Sequence, residues 1–294
     1  MSDFEGKVVI VTGAGGGLGR AHALAFAARG AKVVVNDLGG SLDGSGKGDA
    51  ADRVVAEIRE AGGEAVVSRD SVCDRAGSKR IVQTAVDTFG TLDILVNNAG
   101  NLRDKSFKNM TLDDFDAVLD VHLRGSAYVT HAAWPIMLEK NWGRVVLTSS
   151  TSGIFGNFGQ ANYGAAKMGM LGLMNVLAIE GLSKNIKVNC LAPGAATRMT
   201  ASVPGATVDP AHPPPERAPD LVSPAVLYLC SQDAPTGWIV HAAGGRFARS
   251  QIYANEGIAL PPENAGYEAM MARIGEVTDM SKAMGRNPTE RRRR

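Results

Sequence analysis

Three side chains near the middle of the chain, Ser150, Tyr163 and Lys167, have the types and spacing needed to move a proton to or from an alcohol oxygen. Tyr163 and Lys167 stand at i and i+4, so both lie on one face of a helix. A phenol has a pKa of about 10, and a nearby ammonium lowers it by favouring the phenolate. Tyr163 is therefore a candidate general base, and Ser150 a candidate hydrogen-bond donor to the substrate oxygen.

A tyrosine and a lysine at this spacing also occur by chance, so the pair indicates a catalytic site only if the surrounding elements support one. Apolar, strand-like runs recur along the chain, at 7–13, 32–37, 64–70, 92–98, 143–150, 186–194 and 238–244. Several are nearly continuous Val, Ile and Leu, which suits strands covered on both faces. Helical patterns alternate with them, at 18–30, 50–62, 75–90, 113–141 and 160–184. This alternation predicts an α/β fold: a doubly wound, Rossmann-like parallel sheet in a single domain.

Two segments interrupt the alternation. Residues 38–50 are rich in glycine and read as a long turn after the second strand. Residues 200–224 are rich in proline, so they cannot form one regular helix, and they follow the sixth strand on the ligand-binding edge of such sheets. This loop is either a lid over the substrate or a plain surface excursion. We expect residues 1–250 to form the main domain and residues 251–294 a partly irregular extension.

The first strand ends in a glycine-rich turn that leads into a helix. Gly13, Gly17 and Gly19 fit the pattern T-G-x-x-x-G-x-G, and Leu18 stands where the pattern G-x-G-x-x-G, counted from Gly13, would have its third glycine. Glycines let a pyrophosphate approach the backbone, and the helix N-terminus supplies N–H groups and positive potential. The placement between strand and helix predicts a dinucleotide site.

Acidic and amide side chains follow the next strands, on the same predicted edge. Asp37 lies eighteen residues past Gly19, where a carboxylate binds the adenosine ribose hydroxyls and repels a 2′-phosphate. NAD is therefore favoured over NADP, although a turn-capping role for Asp37 stays open. Asp70 and Ser71 are placed to border the adenine, and Asn98 to hold the ribose side of the cofactor.

The composition of the chain argues against several other classes of protein. Lys plus Arg total 31 and Asp plus Glu 30, so no general affinity for nucleic acid is indicated. No apolar run approaches the roughly 18 residues of a membrane span, and the N-terminus lacks a signal-peptide pattern. The three cysteines, Cys73, Cys190 and Cys230, lie far apart, which favours a reducing compartment; we expect a cytoplasmic protein. No histidine shows a metal-binding spacing, so no metal is assigned.

Together, the glycine turn, Asp37, "NNAG" at 97–100, Ser150 and Y-x-x-x-K resemble the short-chain dehydrogenase/reductase family over roughly residues 5–250. "VVVNDLGG", "VHLRGS", "GNFGQANY" and "TRMT" are most similar to the (3R)-hydroxyacyl-CoA dehydrogenase module of peroxisomal multifunctional enzyme type 2, also described as 17β-hydroxysteroid dehydrogenase type 4. The resemblance implies Ser150, Tyr163 and Lys167 as catalytic residues, with Tyr163 and Lys167 also contacting NAD. It further implies a homodimer or homotetramer and a separate enoyl-CoA hydratase in the same pathway.

One position departs from the wider family, which usually has an asparagine in the fifth helix. Here "DVHLRG" places His122 there, either as a proton relay or as a structural helix histidine. The expected reaction interconverts a secondary alcohol and a ketone on a small molecule, most simply (3R)-hydroxyacyl-CoA and 3-oxoacyl-CoA. Alternatives are a hydroxysteroid or steroid side-chain acyl-CoA dehydrogenase, a 3-oxoacyl-carrier reductase, and a dinucleotide-binding protein without turnover.

Overall fold

A computed structural model describes residues 3–39, 48–201, 209 and 212–289 of the chain. Its strands are β1 (Val8–Thr12), β2 (Lys32–Asn36), β3 (Glu64–Ser68), β4 (Ile94–Asn97), β5 (Gly143–Thr148), β6 (Ile186–Gly194), β7 (Ile239–Ala243), β8 (Arg246–Ser250), β9 (Ile252–Ala254) and β10 (Met284–Arg286). Eight of them form one sheet in the order β3-β2-β1-β4-β5-β6-β7-β8, and β9 pairs with β10. Neighbours in the large sheet are parallel except β7 and β8.

Helices cover both faces of this sheet. They are α1 (Gly17–Ala27), α2 (Ala50–Glu60), α3 (Arg75–Phe89), α4 (Leu112–Leu119), α5 (Ser126–Lys140), α6 (Thr151–Phe155), α7 (Ala161–Glu180), α8 (Arg198–Ala201), α9 (Ser223–Cys230), α10 (Tyr267–Ala272) and α11 (Ile274–Thr278). Side chains alternate along each strand, so Val9 and Val11 join the core beneath α1, α2 and α9. Val8 and Ile10 join the core beneath α3, α5 and α7. The continuous apolar runs therefore have the two covered faces expected of them.

The predicted doubly wound sheet is confirmed, with every predicted strand present. The sequence did not indicate β8, whose residues are mostly exposed and follow a tight turn at Gly244 and Gly245. The helix predicted over 113–141 is divided, because a π-helical segment, Asp120–Gly125, separates α4 from α5. A π-helical segment adds a residue to a helical turn and often occurs at functional sites.

The two irregular segments are described only in part. Residues 40–47 of the glycine-rich turn, and residues 202–208, 210 and 211 of the proline-rich loop, lie outside the described residues. The later part of the proline-rich loop forms two short 3-10 turns, Pro215–Arg217 and Pro219–Leu221, before α9 begins. Within residues 251–289, α10, α11 and the β9–β10 pair are largely exposed, and Pro288 lies close to Gly237 near the start of β7.

Candidate active site

A cleft of about 320 Å³ lies at the carboxyl edge of the parallel sheet. Its wall contains most of the predicted site residues, namely Gly13, Gly17, Leu18, Asp37, Asp70, Ser71, Asn98, Tyr163 and Lys167. Gly19 and Ser150 lie just behind the wall, where Gly19 packs on Gly13 and Ser150 hydrogen-bonds Tyr163. The fold thus brings the glycine turn and the tyrosine–lysine pair into one space.

The turn between β1 and α1 leaves no room for side chains. Gly13 has φ of 64°, and a Cβ at this position would lie 2.7 Å from the Cα of Ala99. A Cβ on Gly19 would lie 2.2 Å from the carbonyl oxygen of Gly13. No side chain caps the N-terminus of α1 at Gly16. The backbone N–H groups at this helix start therefore face the cleft unshielded, as binding of an anion requires.

Asp37 is fixed beside the same turn by backbone donors. Its Oδ2 accepts a hydrogen bond from the N–H of Gly15 at 2.8 Å, and its Oδ1 accepts one from Gly39 at 2.6 Å. A Cβ on Gly15 would lie 2.8 Å from the Cγ of Asp37. Both roles considered for Asp37 are thus compatible, because the carboxylate braces the turn while lining the cleft.

Asn98, Asp70 and Ser71 complete this end of the cleft. The Nδ2 of Asn98 donates to the carbonyl oxygens of Thr12 and Gly13, at 3.0 and 3.1 Å, so its amide holds the glycine turn in place. The carboxylate of Asp70 accepts a hydrogen bond from Arg80 at 2.7 Å. Ser71 accepts one from the N–H of Cys73 at 3.2 Å.

Ser150, Tyr163 and Lys167 meet at the other end, where β5 leads through α6 into α7. The hydroxyl of Ser150 accepts a hydrogen bond from the N–H of Ser152, which caps α6, and bonds to the Tyr163 side chain. The ammonium of Lys167 donates to the carbonyl oxygen of Thr148 and lies 5.4 Å from the centre of the Tyr163 ring. Lys167 is only 2% exposed.

Burial dominates the proton affinities of this group. It raises the pKa of Tyr163 to about 12, because the Ser150 hydrogen bond opposes desolvation only in part and the nearby Asp104 carboxylate adds repulsion. Burial lowers the pKa of Lys167 to about 7. The chain by itself therefore holds Tyr163 as a neutral phenol at pH 7. The nearby lysine does not by itself lower the pKa of Tyr163 enough to form the phenolate, because desolvation raises that pKa by more.

His122 lies against the same pair. Its ring meets that of Tyr163 edge-to-face, with centres 5.1 Å apart, and it lines the cleft from the π-helical segment. Its Nε2 lies 2.8 Å from the carbonyl oxygen of Asn101. Burial lowers the pKa of His122 well below 6.5, and the charge of Lys167 adds to this effect. The histidine is thus a neutral part of the site.

The segment that follows β6 forms a further part of the cleft wall, and none of its residues was among the predicted site residues. Pro193, Ala195, Thr197, Met199 and Thr200 line the cleft. The Oγ1 of Thr200 donates to the carbonyl oxygen of Ala195 at 3.0 Å and accepts from the N–H of Thr197 at 2.8 Å. The available signal was the position of "TRMT" directly after a strand end, on the ligand-binding edge.

The described part of the chain contains neither a metal-binding cluster nor a membrane-spanning helix. Within that part of the chain, no three His, Cys, Asp or Glu side chains are grouped as a metal ion would require. Among the same residues, no helix has the length and apolar character to cross a membrane.

Comparisons with known proteins agree with this geometry. The family model described as short chain dehydrogenase matches residues 7–206. A Mycobacterium tuberculosis protein named as a short-chain type dehydrogenase/reductase is 48% identical over 291 residues, covering 96% of this chain and 98% of its own. Peroxisomal multifunctional enzyme type 2 of Mus musculus is 56% identical over 246 residues, covering 80% of this chain but only 32% of the mouse enzyme.

A solved structure, a short chain dehydrogenase from Mycobacterium avium, matches with a TM-score of 0.77 at 44% identity. The match covers 93% of this chain and 96% of that one. The likeness to short-chain dehydrogenases and to multifunctional enzyme type 2 inferred from the sequence is therefore confirmed. The chain belongs to the short-chain dehydrogenase/reductase family, whose members are oxidoreductases that use a nicotinamide dinucleotide on a small-molecule substrate.

Proposed function

We propose that this protein is an NAD-dependent dehydrogenase that interconverts (3R)-hydroxyacyl-CoA and 3-oxoacyl-CoA. The observation that carries the proposal is the shared cleft, with Asp37 and the glycine turn at one end and Tyr163 with Lys167 at the other. The substrate class is supported by the similarity to peroxisomal multifunctional enzyme type 2, of which this chain matches 32%. Only the activity of the part of that enzyme that matches this chain is therefore proposed here.

The cleft fits a dinucleotide in several respects. Glycines 13 and 19 keep the backbone bare where a pyrophosphate approaches, and a Cβ at either would clash with main-chain atoms. Asp70, Ser71 and Asn98 extend the wall on the adenosine side, and Thr197 and Thr200 extend it toward the reactive end. When bound, the nicotinamide supplies the hydride acceptor or donor and, in its oxidised form, a positive charge.

NAD is the form that we propose, because Asp37 presents a carboxylate where the adenosine ribose binds. A 2′-phosphate would bring a second negative charge against it and cost affinity. The hydrogen bonds from Gly15 and Gly39 hold the carboxylate in place, so it cannot swing aside without losing both.

The chain's own residues then divide the chemistry. Tyr163, a neutral phenol in the chain by itself, donates a proton to the ketone oxygen during reduction. In the oxidation direction, positive charge near the ring has to lower its pKa before it accepts the alcohol proton, and the Lys167 ammonium is 5.4 Å from the ring centre. Ser150 hydrogen-bonds Tyr163 and lies where it can also donate to the substrate oxygen.

A panel of substrates with both cofactors tests this proposal. Purified protein is given NAD⁺ or NADP⁺ with 3-hydroxyacyl-CoA esters, hydroxysteroids and steroid side-chain acyl-CoA, and 3-oxoacyl-carrier with NADH or NADPH. We expect NADH from the 3-hydroxyacyl-CoA esters and much less product with NADP⁺. Faster turnover of a steroid or a carrier-bound group would replace the substrate assignment. Absence of turnover with every substrate would overturn the assignment as an enzyme of this kind.

We propose a homodimer or homotetramer, supported by exposed apolar side chains along the outer face of α7 at Met168, Val176 and Ile179. We propose residues 1–250 as the dehydrogenase unit, with residues 251–294 as its extension. A separate enoyl-CoA hydratase would supply the hydroxyacyl substrate. The three free cysteines suit a reducing compartment such as the cytoplasm.

A further inference from the structure

The loop that follows β4 is fastened to the first turn of α7, the helix that carries Tyr163. The N–H of Lys105 donates to the carbonyl oxygen of Gly159 at 2.9 Å, and the Nε2 of Gln160 donates to the Oδ2 of Asp104 at 2.6 Å. Lys105 and Gln160 also form an isolated parallel β-bridge. A backbone pairing and a side-chain hydrogen bond therefore hold Asp104 against the start of α7.

Asn162 extends this connection to the backbone of Tyr163. Its side chain is fully buried, and its Nδ2 donates to the carbonyl oxygens of Arg103 and Asp114, at 3.0 and 3.2 Å. Its Oδ1 accepts a hydrogen bond from the N–H of Tyr163 at 2.7 Å. Buried polar networks with their hydrogen bonds made are rigid. The position of the loop is therefore fixed relative to the residue that we expect to exchange the proton.

The carboxylate of Asp104 differs from its neighbour, that of Asp114 on α4, in having no cation to balance it. Asp114 pairs with Lys105 at 2.8 Å and with Arg103 at 3.5 Å. Among the described residues, Asp104 forms no ion pair, and its Oδ1 is buried without a hydrogen-bond partner. A charge that is partly buried and not paired acts on its neighbours more strongly than a solvated one does.

The phenol of Tyr163 is the neighbour on which this charge acts. Helical side chains lean toward the N-terminus of their helix, so the ring of Tyr163 is directed back toward the turn that begins at Gln160 and that Asp104 contacts. Burial is the largest influence on the pKa of Tyr163, the Ser150 hydrogen bond opposes it, and the charge of Asp104 raises the pKa further. Geometry and electrostatics thus join the same two residues.

We propose that Asp104 is a positioning residue of the reaction: held by Gln160, its negative charge keeps Tyr163 as a neutral phenol and thereby moves alcohol oxidation to higher pH. The inference rests on the proposed dehydrogenase function. In oxidation the C–H bond breaks, its electron pair leaves with the hydride for the nicotinamide, and the hydroxyl proton passes to the Tyr163 phenolate. In reduction the phenol returns that proton to the ketone oxygen. Asp104 exchanges no proton in either direction.

Other charged or titratable groups face Tyr163 and Asp104 and contribute to any pH dependence. They are Lys167 on α7, His122 on the π-helical segment, Asp114 on α4, Arg103 and Lys105 in the loop itself, and Cys190 on β6 beside Lys167. Burial lowers the pKa of His122 and raises that of Cys190, so both are neutral at pH 7. Burial lowers the pKa of Lys167 to about 7, so its charge changes in the working range. All of these groups remain in the variants below, and comparison with wild type isolates the contribution of Asp104.

The pH dependence of kcat tests the proposal, with 3-hydroxyacyl-CoA and NAD⁺ for oxidation and 3-oxoacyl-CoA and NADH for reduction. Asp104→Asn removes the charge and keeps an oxygen for Gln160. We expect its oxidation rate to begin rising about half a pH unit lower, which makes it about threefold faster than wild type on the acidic limb. The shift is modest because Asp104 is only partly buried and solvent screens it. The rate at high pH should not rise, because a weaker base accepts the proton less readily.

Two further variants separate charge from structure. Asp104→Glu restores a carboxylate and should return the limb toward its wild-type position. Asp113→Asn makes the matched change at an exposed carboxylate in the first turn of α4 and should leave the limb unchanged. The fall of the reduction rate at high pH should move in Asp104→Asn by the same amount as the oxidation limb. Unshifted limbs in Asp104→Asn, an equal loss of rate at every pH, or an equal shift in Asp113→Asn would overturn the proposal.

The charge of Asp104 can also be measured without substrate or cofactor. Carbon-13 chemical shifts of labelled aspartate carboxyls in the full chain report ionisation, and loss of a signal in Asp104→Asn assigns it. Burial raises the pKa of the Asp104 carboxyl, and the Gln160 hydrogen bond opposes this rise. We expect titration above the ordinary range of aspartate but an ionised carboxylate at pH 7. A carboxyl still protonated at pH 7 would overturn the proposal. Inactivity of the wild-type protein would instead count against the proposed function, while the carbon-13 measurement would still decide whether Asp104 carries the charge.

Discussion

Replacement of the buried Lys167 by methionine should stabilise the fold while abolishing turnover. Burial lowers the pKa of this lysine from 10.5 to about 7, so the folded chain binds its proton less tightly than the unfolded chain does. Between these two pKa values the unfolded state holds more protons, and the free energy of unfolding therefore rises with pH. Below pH 7 both states are protonated, and the cost of the buried charge is fully present.

The size of the effect follows from the pKa difference. At about 1.4 kcal/mol per pKa unit, the wild-type chain should gain roughly 2 to 3 kcal/mol of unfolding free energy between pH 6 and pH 9 through this residue. Lys167→Met lacks the titration and should not show this gain. The variant should thus be more stable than wild type at pH 6, by up to about 5 kcal/mol, with the margin narrowing as pH rises.

Urea unfolding at a series of pH values measures this difference. Subtracting the variant's profile from that of wild type removes the contribution of groups that do not interact with Lys167, such as the buried Cys230 thiol. Lys184→Met, at an exposed position, serves as the control and should keep the wild-type profile. Identical pH slopes for wild type and Lys167→Met would contradict this expectation, because they would mean that the buried lysine holds its proton as firmly as an exposed one.

Three further predictions concern the cofactor, the proton and the assembly. Tyr163→Phe should retain NADH binding, measured by fluorescence, but lose about 10² to 10⁴ in kcat; substantial residual turnover would remove Tyr163 from its role. Asp37→Asn should narrow the preference for NAD over NADP by about tenfold while keeping an acceptor oxygen for one of the two N–H groups, that of Gly15 or that of Gly39, whereas Asp37→Ala loses both hydrogen bonds and should also weaken NAD binding. An unchanged ratio in both variants would count against the ribose assignment. Val176→Glu places a charge on the exposed apolar face of α7 and should lower the mass measured by sedimentation relative to wild type. Lys79→Glu, also at an exposed position, is the control and should keep the wild-type mass. An unchanged mass for Val176→Glu would mean that this face of α7 forms no subunit contact.

Much of the architecture could be predicted because its physical signals are local. Continuous apolar runs marked the strands, and the position of the glycine turn between β1 and α1 marked the phosphate end. Right-handed crossovers between these strands then predicted a doubly wound parallel sheet, in which Asp37 and Tyr163 lie at one edge. These inferences depended on residue type and sequence spacing alone.

What escaped prediction depends on contacts between distant segments. The pKa of Tyr163 is set by how deeply the folded chain buries the phenol, and its sequence neighbours do not reveal that. The orientation of His122 depends on Gly100 and Asn101, about twenty residues earlier, and on a π-helical segment that apolar periodicity did not distinguish from a continuous helix. The exposed strand β8 carries no apolar alternation to mark it.

Separate assays of the two enantiomers of one substrate test whether this chain oxidises (3R)-hydroxyacyl-CoA with NAD⁺, as we propose. The purified protein is mixed with NAD⁺ and either (3R)- or (3S)-hydroxyacyl-CoA, and formation of NADH is followed by absorbance. We expect rapid NADH formation from the 3R ester and little from the 3S ester. Equal rates with both esters, or rapid reaction with the 3S ester alone, would contradict it.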